Sequence, residues 1–185
     1  MTAVAATAPS PRSARGNAPP AIHGLHHVAY RCRDAEETRR FYEDVLGLPL
    51  VDVIHVENTV STTGDRVSFA HFFFEMTDGS MIAFFDLGDG RTTAPDPATP
   101  AFVNHIAFAV DGEAQLLDLK RRLEAAGVAV DGPMVHETVH SIYFWDPNGV
   151  RMEFAYTPRH EDDRAAMIAR AHENLRRWLA RPAAE

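Results

Sequence analysis

The sequence predicts an α+β protein built from two βαβββ modules lying side by side. Three observations carry this expectation. The order strand, helix, three strands occurs twice along the chain. Short motifs of the first occurrence align with motifs of the second: Leu25-His26-His27-Val28-Ala29-Tyr30 with Val103-Asn104-His105-Ile106-Ala107-Phe108, and Asp78-Gly79-Ser80-Met81-Ile82-Ala83-Phe84 with Asn148-Gly149-Val150-Arg151-Met152-Glu153-Phe154. A segment rich in Gly, Asp, Thr and Pro separates the two occurrences, as a linker would. Internal similarity on this scale marks a duplicated structural unit.

The elements follow in order. Residues 1–21 are rich in Ala, Pro and Ser and free of acid, the composition of a disordered tail. An apolar-polar alternation over 25–32 predicts the first strand. Asp34 then opens a helix with Glu36 and Glu37 in its first turn, and Gly47 closes it. Strands are expected over 50–56, 67–76 and 81–87, the last two joined by the turn signal Asp78-Gly79. The linker spans 89–100. A fifth strand over 103–110 precedes a helix over 112–126 with Gly127 at its end. Strands over 135–139, 142–145 and 150–156 complete the second module, the last pair joined through Asp146-Pro147-Asn148-Gly149. These boundaries give module one as 22–88 and module two as 101–157. The extension 158–185 contains a helical pattern over 161–180, with Ile168, Ala171, Leu175, Trp178 and Leu179 near one stripe. Such a stripe covers the domain or packs on a second subunit, as in a homodimer.

Composition excludes several classes. Eighteen basic against twenty-six acidic residues give a net charge of −8, the wrong sign for a nucleic-acid binder. No apolar run approaches the roughly 18–20 residues of a membrane span. The start of the chain lacks the apolar stretch of a secretory signal, so a cytoplasmic location is expected. A single cysteine, Cys32, leaves neither an internal disulfide nor a cysteine cage for zinc.

Strand parity then singles out three residues. Side chains alternate between the faces of a strand. Val28 and Tyr30, Ile106 and Phe108, and Met152 and Phe154 form bulky faces suited to pack on helices. The opposite faces carry small residues together with His27, His105 and Glu153. Two neutral imidazoles and a carboxylate are the donor set that holds non-haem Fe(II) with open positions, and Mn(II), Zn(II) or Ni(II) accept similar ligands. The position repeat-equivalent to Glu153 is Ala83, so three ligands are expected and not four.

These motifs resemble the vicinal oxygen chelate superfamily, which includes glyoxalase I, extradiol ring-cleavage dioxygenases, fosfomycin-resistance transferases and bleomycin-resistance proteins. The residues that carry the likeness are Leu25-His26-His27-Val28, Phe41-Tyr42-Glu43-Asp44-Val45-Leu46-Gly47-Leu48, Asn104-His105-Ile106-Ala107-Phe108, and Tyr143 through Gly149 leading to Glu153. The resemblance covers about residues 22–157. It implies paired modules curling into a metal-bearing cup, with His27, His105 and Glu153 as ligands. Glyoxalase I usually has a further glutamate where this chain has Ala83, which speaks against a glyoxalase reaction; extradiol dioxygenases and fosfomycin-type transferases both resemble this chain in using only two histidines and a glutamate. His136 followed by Ile142-Tyr143, Asp146-Pro147, Gly149 and Glu153 resembles the extradiol signature, with a departure at Met134.

The leading expectation is therefore an Fe(II)-dependent extradiol-type dioxygenase acting with dioxygen on a small, catechol-like aromatic. His136 or His140 would serve as acid/base, and Tyr143 would hydrogen-bond the substrate. The alternative is a metalloenzyme without redox chemistry, such as a glyoxalase-like lyase, an isomerase or epimerase, or a thiol transferase. A metal-free protein that sequesters a drug or metabolite stands third, because it has no need of the ligand set. His55 and His71 lack repeat-supported partners and are expected at most to line the pocket. The run of phenylalanines over 69–74 reads as core.

Overall fold

Two runs of alternating side chains, each broken by one helix, build two four-stranded sheets. A computed structural model of the chain describes residues 22–92, 97–136, 139–158 and 164–180. The tail expected over 1–21 and the middle of the linker lie outside the described residues. In the first module, β1 (His27–Cys32) leads to α1 (Ala35–Arg39), then β2 (Leu50–Val60), β3 (Arg66–Glu75) and β4 (Met81–Asp86). The second has β5 (Ile106–Ala109), α2 (Glu113–Ala125), β6 (Val130–Val135), β7 (His140–Trp145) and β8 (Arg151–Tyr156). The strand orders are β1-β4-β3-β2 and β5-β8-β7-β6, the same topology twice. In both sheets the first strand lies parallel to the fourth and the rest pair antiparallel. The register places Ala83 between Ala29 and Phe73, and Glu153 between Ala107 and Tyr143. The repeat expected from the sequence is thus present strand by strand.

The two modules share one core. Phe72, Phe74, Ile82 and Phe84 from the first sheet join Phe108, Ile142, Phe144, Met152 and Phe154 from the second. Phe41 and Tyr42 sit between them. Tyr42, fully buried, stacks on Phe74 with ring centroids 5.2 Å apart and lies 4.9 Å from Phe84, while Phe41 lies 6.3 Å from Phe144. The Tyr42 hydroxyl donates to Asp146 Oδ2 at 3.0 Å, and Asn148 Nδ2 donates to Thr38 Oγ1 at 3.1 Å. The turn between β7 and β8 is therefore fastened to the helix of module one. Phe73 and Ala83 are also buried, yet they stand on the other face of their sheet and outside this core.

Several boundaries differ from the sequence reading. The first helix is a short α1 capped by Asp34, whose carboxylate accepts from Glu37 N, and it continues over Arg40–Val45 as a wider π-type turn. That turn carries Phe41 and Tyr42 into the shared core, a placement that local propensity does not encode. The sixth strand runs Val130–Val135 and not 135–139. Gly132-Pro133 reads as a chain break in sequence, but β6 is an edge strand, where proline is tolerated, and its pairing with β7 shifts register at this point. A side chain at Gly132 would meet the Ser141 carbonyl oxygen at 2.8 Å, and φ is +105°, so glycine is required there. β2 extends to Val60, and β5 begins only at Ile106, which leaves His105 at the strand's entry. The C-terminal helix α3 (Arg164–Leu179) is present, with Ile168, Leu175, Trp178 and Leu179 exposed. No helix among the described residues is long and apolar enough to cross a membrane.

Burial raises the Asp146 carboxyl above the usual carboxylate value, against hydrogen bonds from Val150 N, Tyr42 and Asn148 that lower it. A carboxyl raised by folding holds its proton more tightly in the folded chain. Its contribution to stability is fully present below the unfolded value, near ~3.9, and is lost as pH rises through the folded value. Thermal melts of wild type and Asp146→Asn across this range test this. The wild type is expected to lose stability relative to the variant as pH rises; a difference independent of pH would contradict it.

Candidate functional site

With one face of each sheet in the common core, the other two faces carry the chemistry-bearing residues. On the second sheet, β8 places Glu153 beside Ala107 and Tyr143, and Ser141 lies two residues from Tyr143 on the same face. Small side chains at Ala107, Ala109 and Ala155 keep this face shallow. Glu153 is 5% exposed and its two oxygens are used differently. Oε1 accepts from the hydroxyls of Ser141 and Tyr143, the latter at 3.2 Å. Oε2 lies 2.9 Å from His105 Nε2.

The His105 ring is held from its far side. Nδ1 lies 3.1 Å from the Phe102 carbonyl oxygen. A carbonyl only accepts, so Nδ1 carries the proton, and in the neutral ring Nε2 is a bare lone pair. That lone pair faces a carboxylate oxygen across 2.9 Å, an arrangement of two acceptors that a proton or a metal cation between them makes favourable. A ligating histidine whose second nitrogen donates to a backbone carbonyl, beside a carboxylate held by further donors, is the usual support of a metal site. The donor atoms of this half-site fit a divalent cation.

Tyr143 extends the network to the rim. Its hydroxyl also lies 3.1 Å from His136 Nε2. Burial, and then the Glu153 charge, raise the Tyr143 pKa, which keeps the hydroxyl protonated as the donor to that carboxylate. Because Tyr143 donates to Glu153, His136 donates to Tyr143. Arg151, on the same face, lies over the Tyr143 and Trp145 rings at 5.1 and 5.5 Å.

His27 occupies the corresponding place on the first sheet. Its ring packs edge-on against Phe73, with centroids 5.6 Å apart, and against His71 at 6.2 Å. Its Nδ1 lies 2.8 Å from His26 Nδ1. The contacts of the chain do not bring His27 to His105 and Glu153, and among the described residues no three His, Cys, Asp or Glu side chains gather as a metal cage. The reason lies in the shared core. Both sheets turn their bulky faces toward it, so the faces that bear His27 and the His105–Glu153 pair both point away from it.

The structure joins Tyr143 and His136 to Glu153 in one hydrogen-bonded network and leaves His140 outside it. His140 alternates with Ser141 onto the core side of β7, where its Nδ1 lies 2.8 Å from the Tyr156 hydroxyl. It stands across the sheet from the site, as parity alone foretells once the true limits of β7 are known. Ser141 was missed for the same reason: its partnership with Glu153 depends on the β7–β8 register.

Known proteins can now be set beside this geometry. The family model of the Glyoxalase/Bleomycin resistance protein/Dioxygenase superfamily matches residues 24–154. A probable lactoylglutathione lyase of Synechocystis is 27% identical over 141 residues, which is 75% of this chain and 98% of that protein. A probable chloroplastic lactoylglutathione lyase of Arabidopsis thaliana is 25% identical over 130 residues, 69% of this chain; the match spans only 34% of that relative's length. Among solved structures, a glyoxylase/bleomycin resistance protein/dioxygenase domain from Frankia sp. EAN1pec has a TM-score of 0.60 and 19% identity, with 80% of this chain and 99% of that one covered. A genomically encoded fosfomycin resistance protein of Listeria monocytogenes, complexed with Mn(II) and sulfate, has a TM-score of 0.52 and 20% identity, covering 74% and 93%. At these identities the solved structures speak for the fold.

The separation of His140 from the site has a measurable consequence. His140→Ala is expected to lower stability by about 1 kcal/mol, the worth of one hydrogen bond, and to leave divalent-metal affinity within two-fold of wild type. A ten-fold loss of metal affinity in an otherwise folded variant would return His140 to the site.

Proposed function

The chain belongs to the glyoxalase/bleomycin resistance/dioxygenase superfamily, and from that premise we propose that it is a divalent-metal enzyme without redox chemistry. In this reading it is a lyase or isomerase of the lactoylglutathione lyase kind. The observation that carries the reading is the His105–Glu153 pair, a bare imidazole lone pair and a buried carboxylate oxygen 2.9 Å apart. Both relatives compared above by sequence are named lactoylglutathione lyases and not dioxygenases, which supports this reading over ring cleavage.

The ligands are His27, His105 and Glu153, supplied by two copies of the chain. His27 of one copy joins the His105–Glu153 pair of the other, because the faces that bear them point out of the common core. An isologous dimer then forms two identical sites. A divalent cation held by these residues would supply Lewis-acid polarisation of substrate oxygens. The chain's own residues do the rest. Ser141 and Tyr143 hold Glu153 Oε1, which fixes Oε2 toward the site. Glu153 takes a proton from the carbon beside the substrate oxygens and returns it, while the donors running from His136 to Tyr143 and from Tyr143 to Glu153 hold the carboxylate in place. Phe73 and the Tyr143 and Trp145 rings supply apolar walls.

The contact between His136 and Tyr143 also supports a second reading. A histidine beside the tyrosine and carboxylate suits the acid/base of an Fe(II) ring-cleaving dioxygenase acting on a small aromatic. Reconstitution separates the two. Metal-free protein titrated with Ni(II), Mn(II), Zn(II) or Fe(II) is expected to bind about one ion per chain and to act on lactoyl-thioester substrates without oxygen. Turnover of a catechol that requires Fe(II) and consumes oxygen would favour the second reading. Glu153→Ala is expected to lose most of the bound metal and His26→Ala to keep it. Stoichiometric metal in folded Glu153→Ala would overturn the ligand set.

A further inference from the structure

The pseudo-symmetry of the two modules leaves one histidine without an assigned task. The register equates Ala83 with Glu153, Phe73 with Tyr143, and His71 with Ser141. In module two, β8 offers the carboxylate and β7 a hydroxyl that supports it. In module one, β4 offers only a methyl group, fully buried at Ala83, and β3 offers an imidazole in place of the hydroxyl. The side chain missing from one strand is thus answered by a larger donor on its neighbour.

His71 is arranged as a ligand is arranged. It is 8% exposed, and its ring stacks on Phe85 with centroids 3.7 Å apart and planes 4° from parallel. Phe73 packs against it at 4.2 Å, so the ring is fixed by neighbours on two sides. Its Nδ1 lies 3.0 Å from the Phe84 carbonyl oxygen, which places the proton there and leaves Nε2 as a lone pair without a described partner. This is the same support that holds His105 through Phe102. A phenylalanine would make the same ring contacts with Phe85 and Phe73, so packing alone does not account for the imidazole.

The distance to His27 is suitable. Imidazoles sharing one ion, with metal–nitrogen bonds of about 2.0–2.1 Å, have ring centroids roughly 4.5–6.5 Å apart depending on the angle at the metal. The His27 and His71 centroids are 6.2 Å apart with planes inclined at 62°. The geometry points to His71 as a fourth protein ligand of the cation held by His27, His105 and Glu153, donated from β3 into the space that Ala83 leaves open. The inference rests on the metal-site reading above. It makes the donor set three imidazoles and one carboxylate, and the chain a member of its family whose fourth ligand comes from a different strand.

His71→Asn tests it, because the asparagine amide still donates to the Phe84 carbonyl while the second ring nitrogen is gone. Metal-free wild type and variant are titrated with Co(II), following affinity and the visible ligand-field spectrum. The variant is expected to bind at least about ten-fold more weakly with a changed spectrum, while the metal-free variant, less stable for want of the ring's packing, still unfolds cooperatively. A second measurement needs no variant. Proton NMR of the Co(II) wild type is expected to show three exchangeable, hyperfine-shifted imidazole N–H signals, from His27, His71 and His105. Two such signals, or an unchanged affinity and spectrum in His71→Asn, would overturn the assignment of His71 alone. A wild type that binds no Co(II) would overturn the metal reading and this assignment with it.

Discussion

Tyr42 sits where the two modules meet, stacked on Phe74 of one sheet and hydrogen-bonded to Asp146 at the turn of the other. Around it, one face of each sheet is drawn into a single core. This decides what the remaining faces can do. A strand presents two faces, and if the bulky one is inside, the one that carries His27 or Glu153 must be outside. The fold therefore yields two half-sites on one chain, each backed by a sheet but not facing the other. In the proposed metal site, it is this core packing that assigns His27 and the His105–Glu153 pair to different copies.

Within the half-site of module two, the order of dependence runs from register to chemistry. The β7–β8 pairing sets Tyr143 opposite Glu153 and brings Ser141 within reach. Those two hydroxyls satisfy one carboxylate oxygen, which leaves the other for His105. The Phe102 carbonyl then selects the tautomer in which His105 offers a lone pair. Each step removes a degree of freedom that a loosely held site would have to restrict on binding, so the donor atoms are already placed.

Much of this was legible in the sequence, and the failures have physical causes. The repeat, the strand faces and the selection of His27, His105 and Glu153 all came from alternation, which is a local property of the chain. The π-type turn at Arg40–Val45 was not legible, because its extra width serves the burial of Tyr42 against residues far away in sequence. β6, expected over 135–139, runs Val130–Val135 instead, because its edge position and the close Ser141 carbonyl accommodate Gly132 and Pro133 within a strand. His140 was assigned to the site for want of a strand boundary: a shift of one residue moves a side chain to the opposite face. The resemblance to extradiol enzymes rested on His136 and the absence of a glutamate at 83. The pairing of His136 with Tyr143 agrees with the first point, while the relatives named as lyases turn the functional reading the other way.

The central claim is that one site is assembled from two copies, and subunit complementation tests it directly. His27→Ala and Glu153→Ala are each expected to lack metal-dependent activity as separate proteins, since each lesion strikes both sites of its own homodimer. After mixing, unfolding and refolding together, a mixed dimer has one site with both lesions and one with neither. Random pairing makes half of the dimers mixed, so about a quarter of wild-type sites, and of wild-type metal binding and turnover, should return. If His27, His105 and Glu153 instead met within a single chain, every site would carry one lesion or the other. The mixture would then stay as inactive as its parts.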